Sequence, residues 1–219
     1  FPGQLGVFSD DHHEGLSRLA TAIKQEDSVA ICQIHHAGMR SPEDIIGSKP
    51  VCPSDNEETG ARALSSDEVS QLIEDFIVAA ERSEKAGFDG VEIHGAHGYI
   101  LSQFLSGEIN QREDDYGGSL DNRSRIFFEI IDGIRQRCGS NFMVGVRLSP
   151  ERFGMKLAEV VEVAQRLMDT GQIDFLDMSL WDVFKEPEEE EMQGKSLLSY
   201  FTALNRGDVR LGIAGKIRT

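Results

Sequence analysis

Five short, nearly unbroken apolar runs punctuate this chain, at 29–33, 90–94, 141–148, 175–179 and 209–214, and each is preceded by a stretch whose apolar residues recur at helical spacing. Strands that lack apolar–polar alternation are buried on both faces, and soluble proteins bury strands that way where helices cross over between parallel neighbours. The reading is α/β, a parallel sheet covered by helices. Two architectures satisfy it, a closed barrel and an open doubly wound sheet. The polar residues that look chemical fall just past strand ends (Gln33, His94 with His97, Arg147, Gly215), which both permit and barrels show most often. No strand is followed by the G-x-G-x-x-G of a dinucleotide fold.

The helices carry their own boundary signals. Ser9 can cap a helix striped by Leu16, Leu19, Ala20 and Ile23. Ser65 and Glu68 form a capping box ahead of Val69, Leu72, Ile73, Phe76, Ile77 and Ala80, with Gly87 as the stop. Asp121 precedes a stripe of Ile126, Phe127, Ile130, Ile131 and Ile134, while Leu157, Val160, Val161, Ala164 and Leu167 stripe a helix closed by Gly171, and 197–204 is predicted helical. The acidic segment Glu186-Pro187-Glu188-Glu189-Glu190-Glu191 reads as a solvated loop. No linker or repeat divides the chain, so 1–219 is expected to be one domain.

Composition narrows the class. With 219 residues and 39% apolar content the chain can bury a real core. No apolar run approaches the roughly 20 residues of a membrane helix, and the amino end lacks a basic-then-apolar leader, so a cytoplasmic protein without a membrane partner is expected. The balance of 22 basic against 38 acidic residues, net charge −16, argues against nucleic acid as a partner. Cys32, Cys52 and Cys138 are widely spaced with no C-x-x-C, which predicts reduced structural thiols rather than a disulfide, zinc or iron–sulfur site.

The chemistry concentrates in His94-Gly95-Ala96-His97-Gly98-Tyr99, which leaves the carboxyl end of a strand. Two neighbouring imidazole N–H groups can hydrogen-bond one carbonyl or phenolate oxygen and draw electron density toward it. The same pair also fits two satisfied histidines at a strand-to-loop corner, or two metal ligands, the last weakened by the lack of a recognisable third ligand. Tyr99 can donate a proton into the same pocket, or simply pack as an amphipathic aromatic. Gln33 offers a donor and an acceptor together at a strand end. Arg147 places a guanidinium inside an apolar strand, where burial is costly unless an anion meets it; a salt bridge with Glu92 is the structural reading. Gly215 is a turn glycine of low specificity. Downstream, Asn110-x-Arg112-x-Asp114-x-Tyr116-Gly117-Gly118-Ser119 is followed by Asn122-Arg123-Ser124-Arg125, a stretch read as scaffolding in which Arg112 and Asp114 pair.

Together these two motifs resemble the old yellow enzyme family of FMN-dependent oxidoreductases, densely from Gln33 to Arg147 and more faintly to Gly215. The resemblance implies a TIM (β/α)8 barrel, about five of whose eight strands are recognisable here, with FMN at the carboxyl ends of the strands. It implies a ping-pong reaction in which NADH or NADPH reduces the flavin and the hydride then passes to the activated C=C of an α,β-unsaturated carbonyl compound. In that scheme His94 and His97 anchor the substrate's carbonyl oxygen and Tyr99 protonates the neighbouring carbon. Gln33 meets the flavin pyrimidine edge, Arg147 its N1 and O2 edge, and the Gly215 N–H the phosphate. His36 matches as a loop-holding residue. The pattern also departs from the family: Met39 separates Gly38 from Arg40, so no role passes to Arg40, and Gly107 and Asp121 replace the usual Pro and Glu.

Five strands where such a barrel needs eight in about 250 residues, a start without Met and a stop just past a strand predict an incomplete chain. Three alternatives stay open: dienoyl-CoA reductase-like or amine dehydrogenase-like members with further iron–sulfur and nucleotide domains, and a non-catalytic fragment that holds no flavin. A homo-oligomer is compatible with any of them.

Overall fold

A computed structural model describes residues 3–217. Its helices are α1 (His13–Lys24), α2 (Glu43–Ile46), α3 (Ser66–Lys85), α4 (Ile100–Leu105), α5 (Leu120–Arg137), α6 (Leu157–Asp169) and α7 (Leu197–Thr202). The strands are β1 (Ile31–Ile34), β2 (Val51–Cys52), β3 (Arg62–Ala63), β4 (Gly90–Gly95), β5 (Met143–Leu148), β6 (Phe175–Ser179) and β7 (Arg210–Ala214). β1, β4, β5, β6 and β7 form one parallel sheet in that order, and β2 and β3 make a small parallel pair in the connection between β1 and α3.

Strand order follows chain order, and α1, α3, α5, α6 and α7 stand side by side in the same sequence. A doubly wound sheet would split its helices between two faces. Here the packing is one-sided. Val91, Ile93, Val144, Val146, Leu148, Leu176 and Met178 share a core with Phe76, Ile77, Phe127, Ile130, Val160 and Leu167 from the helices. The alternate positions, Gln33, Glu92, His94, Arg147, Asp177 and Ser179, project to the opposite face, because successive strand side chains alternate. The result is five consecutive units wound in the manner of a (β/α)8 barrel, as expected.

The strands therefore alternate after all, with glycines standing at polar-face positions in β4, β5 and β7. A Cβ on Gly145 would lie 2.1 Å from the Phe175 ring, so the inner face is closed by an aromatic over a glycine. β1 departs most from the expected buried strand: Val29 is 64% exposed, the strand begins at Ile31, and Gln33 is exposed. It is an edge strand, with only β4 beside it among the described residues.

Local signals held where they were chemical. Ser65 accepts from the Glu68 N–H while the Glu68 carboxylate accepts from the Ser65 N–H, starting α3, and Gly87 follows its end at φ +92°. Ser9 caps a 3-10 turn that runs into α1, whose Leu16 and Ala20 are buried while Leu19 faces out. The cap of α5 is Ser119, accepting from Asn122 N at 3.2 Å, rather than Asp121, which lies within the first turn. In α6 Val163 takes the buried place expected of Val161. The acidic segment is more than solvated: the Glu189 carboxylate accepts the Leu157 N–H and so caps α6, and Glu188 pairs with Arg152 and Lys185.

Candidate active site

β4 ends in a short turn that packs four aromatic rings together. The His94 ring lies 5.0 Å from His97 and 5.3 Å from Tyr99, both near-perpendicular, and His35 from the end of β1 stands 5.8 Å from His94 and 5.1 Å from Tyr99. His97 reaches this position at φ +61°, a left-handed conformation that a residue with a Cβ seldom adopts. Its backbone N–H donates to Ser149 Oγ at 3.0 Å, its carbonyl accepts from Arg40 Nη1 at 2.6 Å, and its Nε2 meets Ser179 Oγ at 2.7 Å. The loops after β1 and β5 and the last residue of β6 thus fix one residue of the turn after β4.

His94 is only 5% exposed, and the Ala96 N–H donates to its Nδ1 at 3.1 Å. Burial first, then the neighbouring His97, His35 and Arg147, drive its pKa down to about 3. A neutral imidazole whose Nδ1 accepts must carry its proton on Nε2, so backbone geometry makes His94 a donor. His97 is also shifted downward, chiefly by burial and then by Arg147 and Arg40. The pair are neutral hydrogen-bonding groups, not cations. No cluster of three His, Cys, Asp or Glu able to hold a metal occurs among the described residues.

Arg147 neighbours His94 in the β4–β5 register and points to the same face. Its partner is Asp177 on β6, Nε to Oδ2 at 3.1 Å, and not Glu92 as the sequence suggested. Register explains the difference: Arg147 stands opposite Asp177, whereas Glu92 stands opposite Gly145 and holds the Gln33 amide. The Arg147 Nε is buried and, despite that short distance, makes no hydrogen bond, while Nη2 lies 3.4 Å from Ser179 Oγ. Burial raises the Glu92 carboxyl above the usual range, an effect opposed by the Gln33 hydrogen bond.

Gly215, just past β7, has φ +145°, and a Cβ there would lie 2.8 Å from the Trp181 backbone. Glycine is required by the close approach of the loop after β6. His36 holds its loop as expected, its Nδ1 accepting from Gly38 N at 3.0 Å.

Between the loops after β4, β5 and β6 lies a cavity of about 390 Å³, walled by His97, Tyr99, Phe153, Trp181, Arg40 and Arg152 among others. Of the six non-glycine residues with positive φ among the described residues, four line it: His97, Arg152, Phe153 and Trp181. Strained backbone of this kind persists where surrounding structure imposes it, and it gathers at functional sites. The cavity sits beside a donor pair, a phenol and a guanidinium, a set suited to polarising an oxygen and delivering a proton. Sequence reasoning missed His35, Asp177 and Ser179; the double His35-His36 after a strand was the one visible signal.

The Asn110–Ser119 stretch is saturated by contrast. Arg112 holds Asp114 through Nε at 2.9 Å and Nη2 at 2.5 Å and donates to the carbonyls of Pro53 and Leu64. Asn110 Nδ2 donates to the carbonyls of Phe104 and Tyr116, both at 2.7 Å, and a Cβ on Gly117 would meet the Arg112 carbonyl oxygen at 2.1 Å. Arg123 is 5% exposed and grips Glu159 with two nitrogens at 3.1 and 2.7 Å.

Residues 1–200 match the model of the NADH:flavin oxidoreductase / NADH oxidase family. The chain is 39% identical over 194 residues to the probable NADH-dependent flavin oxidoreductase YqiG of Bacillus subtilis, covering 84% of this chain and 52% of that protein. It is 39% identical over 155 residues to putative 12-oxophytodienoate reductase-like protein 1 of Arabidopsis thaliana, covering 66% and 48%. A solved 2-naphthoyl-CoA reductase complex superposes with a TM-score of 0.82 and 26% identity over 95% of this chain and 36% of that one. The chain spans about half the length of these curated relatives.

Proposed function

The chain belongs to the NADH:flavin oxidoreductase / NADH oxidase family, and from that premise we propose that it serves the reduction, by NADH or NADPH through FMN, of an alkene conjugated to a carbonyl. The observation that carries this reading is the neutral His94–His97 pair, with His94 fixed as an Nε2–H donor by the Ala96 amide. Neutral donors strengthen as negative charge grows on a carbonyl oxygen, which is the demand made by hydride addition to an enone.

The polar face fits the cofactor. The donor set suits it: Arg147 brings a cation, ion-paired with Asp177 at 3.1 Å, Gln33 brings an amide, and Gly215 brings a backbone N–H at a turn held glycine by the Trp181 backbone 2.8 Å from where its Cβ would stand. Arg147 and Gln33 would hold FMN by its ring edge and Gly215 by its phosphate; the Gln33 amide now donates to Glu92. When bound, FMN supplies two-electron hydride transfer from the nicotinamide nucleotide to the substrate's β-carbon. His94 and His97 orient the substrate oxygen, and Tyr99, ring to ring with His94, holds the proton for the adjacent carbon. Asp177 keeps Arg147 in place.

The names of two relatives, a putative 12-oxophytodienoate reductase-like protein and a 2-naphthoyl-CoA reductase, favour substrates that combine a carbonyl with unsaturated carbon. No helix among the described residues is long and apolar enough to cross a membrane. A small soluble enone is the substrate class we test. Protein incubated with FMN and desalted should be yellow, bleach under NADH or NADPH without oxygen, and regain colour on adding cyclohexenone. A folded protein that stays colourless defeats the proposal, and so does a bleached one indifferent to the enone.

A further inference from the structure

Resting on the enone reading, we infer that Arg40 selects substrates carrying a carboxylate in addition to the reducible carbonyl. Three cations line the 390 Å³ cavity, Arg40, Arg152 and Lys185. Two are neutralised within the protein: Lys185 by Glu151 and by Glu188 at 3.0 Å, and Arg152 by Glu188 at 3.2 Å. Arg40 has no carboxylate partner among the described residues. It is held instead by the His97 carbonyl at 2.6 Å on one nitrogen and by the Tyr99 ring, whose centroid lies 5.3 Å from its Cζ.

That posture is anchored yet unspent. One nitrogen is taken, and the exposed side chain lines the cavity with N–H groups still to offer, from which a planar carboxylate can accept two parallel hydrogen bonds. The position is also informative, because the guanidinium sits against the residue proposed to supply the proton and one carbonyl away from a residue proposed to bind the ketone. An anion on Arg40 would therefore set which end of the molecule meets His94 and His97. The Trp181 indole also lines the cavity, 64% accessible and with the Arg152 guanidinium 5.3 Å from its ring centroid, and adds an aromatic surface for the body between the two polar ends.

Cyclohexenones bearing a ring carboxylate, each paired with the carboxamide of the same shape, test this by calorimetric binding to the FMN-loaded protein. We expect each best-placed carboxylate to bind roughly tenfold tighter than its amide, with the ratio falling as salt rises. Arg40→Met should abolish the ratio, Arg40→Lys retain part of it, and Arg152→Met leave it unchanged. A ratio is the proper readout, because disturbing His97 through its carbonyl would weaken both ligands alike. Equal affinities in the unaltered protein, or a preference that survives Arg40→Met, overturn the inference alone. If neither class binds a yellow, folded protein, the enone reading itself fails and this inference falls with it.

Discussion

The histidine corner and the Asn110–Arg123 brace follow the same strand one after the other, and are built on opposite terms. In the brace the central donors have found acceptors: Arg112 serves a carboxylate and two carbonyls, Asn110 two carbonyls, Arg123 a partly buried carboxylate. In the corner an imidazole is stripped of its charge, a residue with a Cβ is bent into left-handed backbone, and a buried guanidinium nitrogen is ion-paired with Asp177 yet makes no hydrogen bond. A motif that satisfies itself makes structure. A motif left short of partners has something to offer a ligand.

The contrast can be broken by exchanging the kinds of damage the two regions suffer. The largest effect expected is on stability, from Arg123→Ala, which leaves Glu159 partly buried and unpaired and strips donors from the Leu105 and Gly118 carbonyls. Loss of a partner from a buried pair typically costs about 3–5 kcal/mol, readable in urea unfolding. Loss of flavin chemistry without loss of stability would overturn the scaffold assignment.

Next in size is the double substitution His94→Ala with His97→Ala. Removal of a donor to a developing oxyanion usually costs about 100- to 1000-fold, so enone reduction in stopped flow should slow on that scale while reduction of the flavin by nucleotide persists. Equal loss in both half-reactions would mean that the corner is scaffold too.

The smallest effect separates the two regions by pH. His94 has a folded pKa of about 3, below its unfolded value near 6.5, so the folded state binds fewer protons. Its contribution to stability is full above about pH 6.5 and is lost as pH falls toward 3, at no more than about 1.4 kcal/mol per unit. His94→Asn should flatten the stability profile between pH 6.5 and 5 relative to the unaltered protein. Identical slopes would show that His94 titrates freely, and the neutral-donor argument would fall.

Several particulars show how far the chain could be read. Ser65 with Glu68, Gly87, and the strand at 175–179 were legible because caps and short apolar runs act within a few residues. The union of His94, His97 and Tyr99 was legible for the same reason, since one turn carries all three. Arg147 showed that it needed an anion, yet the anion was Asp177 and not Glu92, because register between strands is set by packing across the whole sheet. The sequence places Asp121 ahead of its helix, yet α5 starts one residue before it because Ser119 caps it.

The order of elements, their caps and the identity of the residues at strand ends were determined by the amino-acid sequence, since each depends on neighbours in the chain. Tertiary structure decided that the helices lie on one side, that Asp177 and Ser179 join the site, and that Arg40 reaches His97 from 57 positions away. Those facts depend on which strand lies beside which and which face is covered, relations between distant segments that burial of the shared core alone resolves.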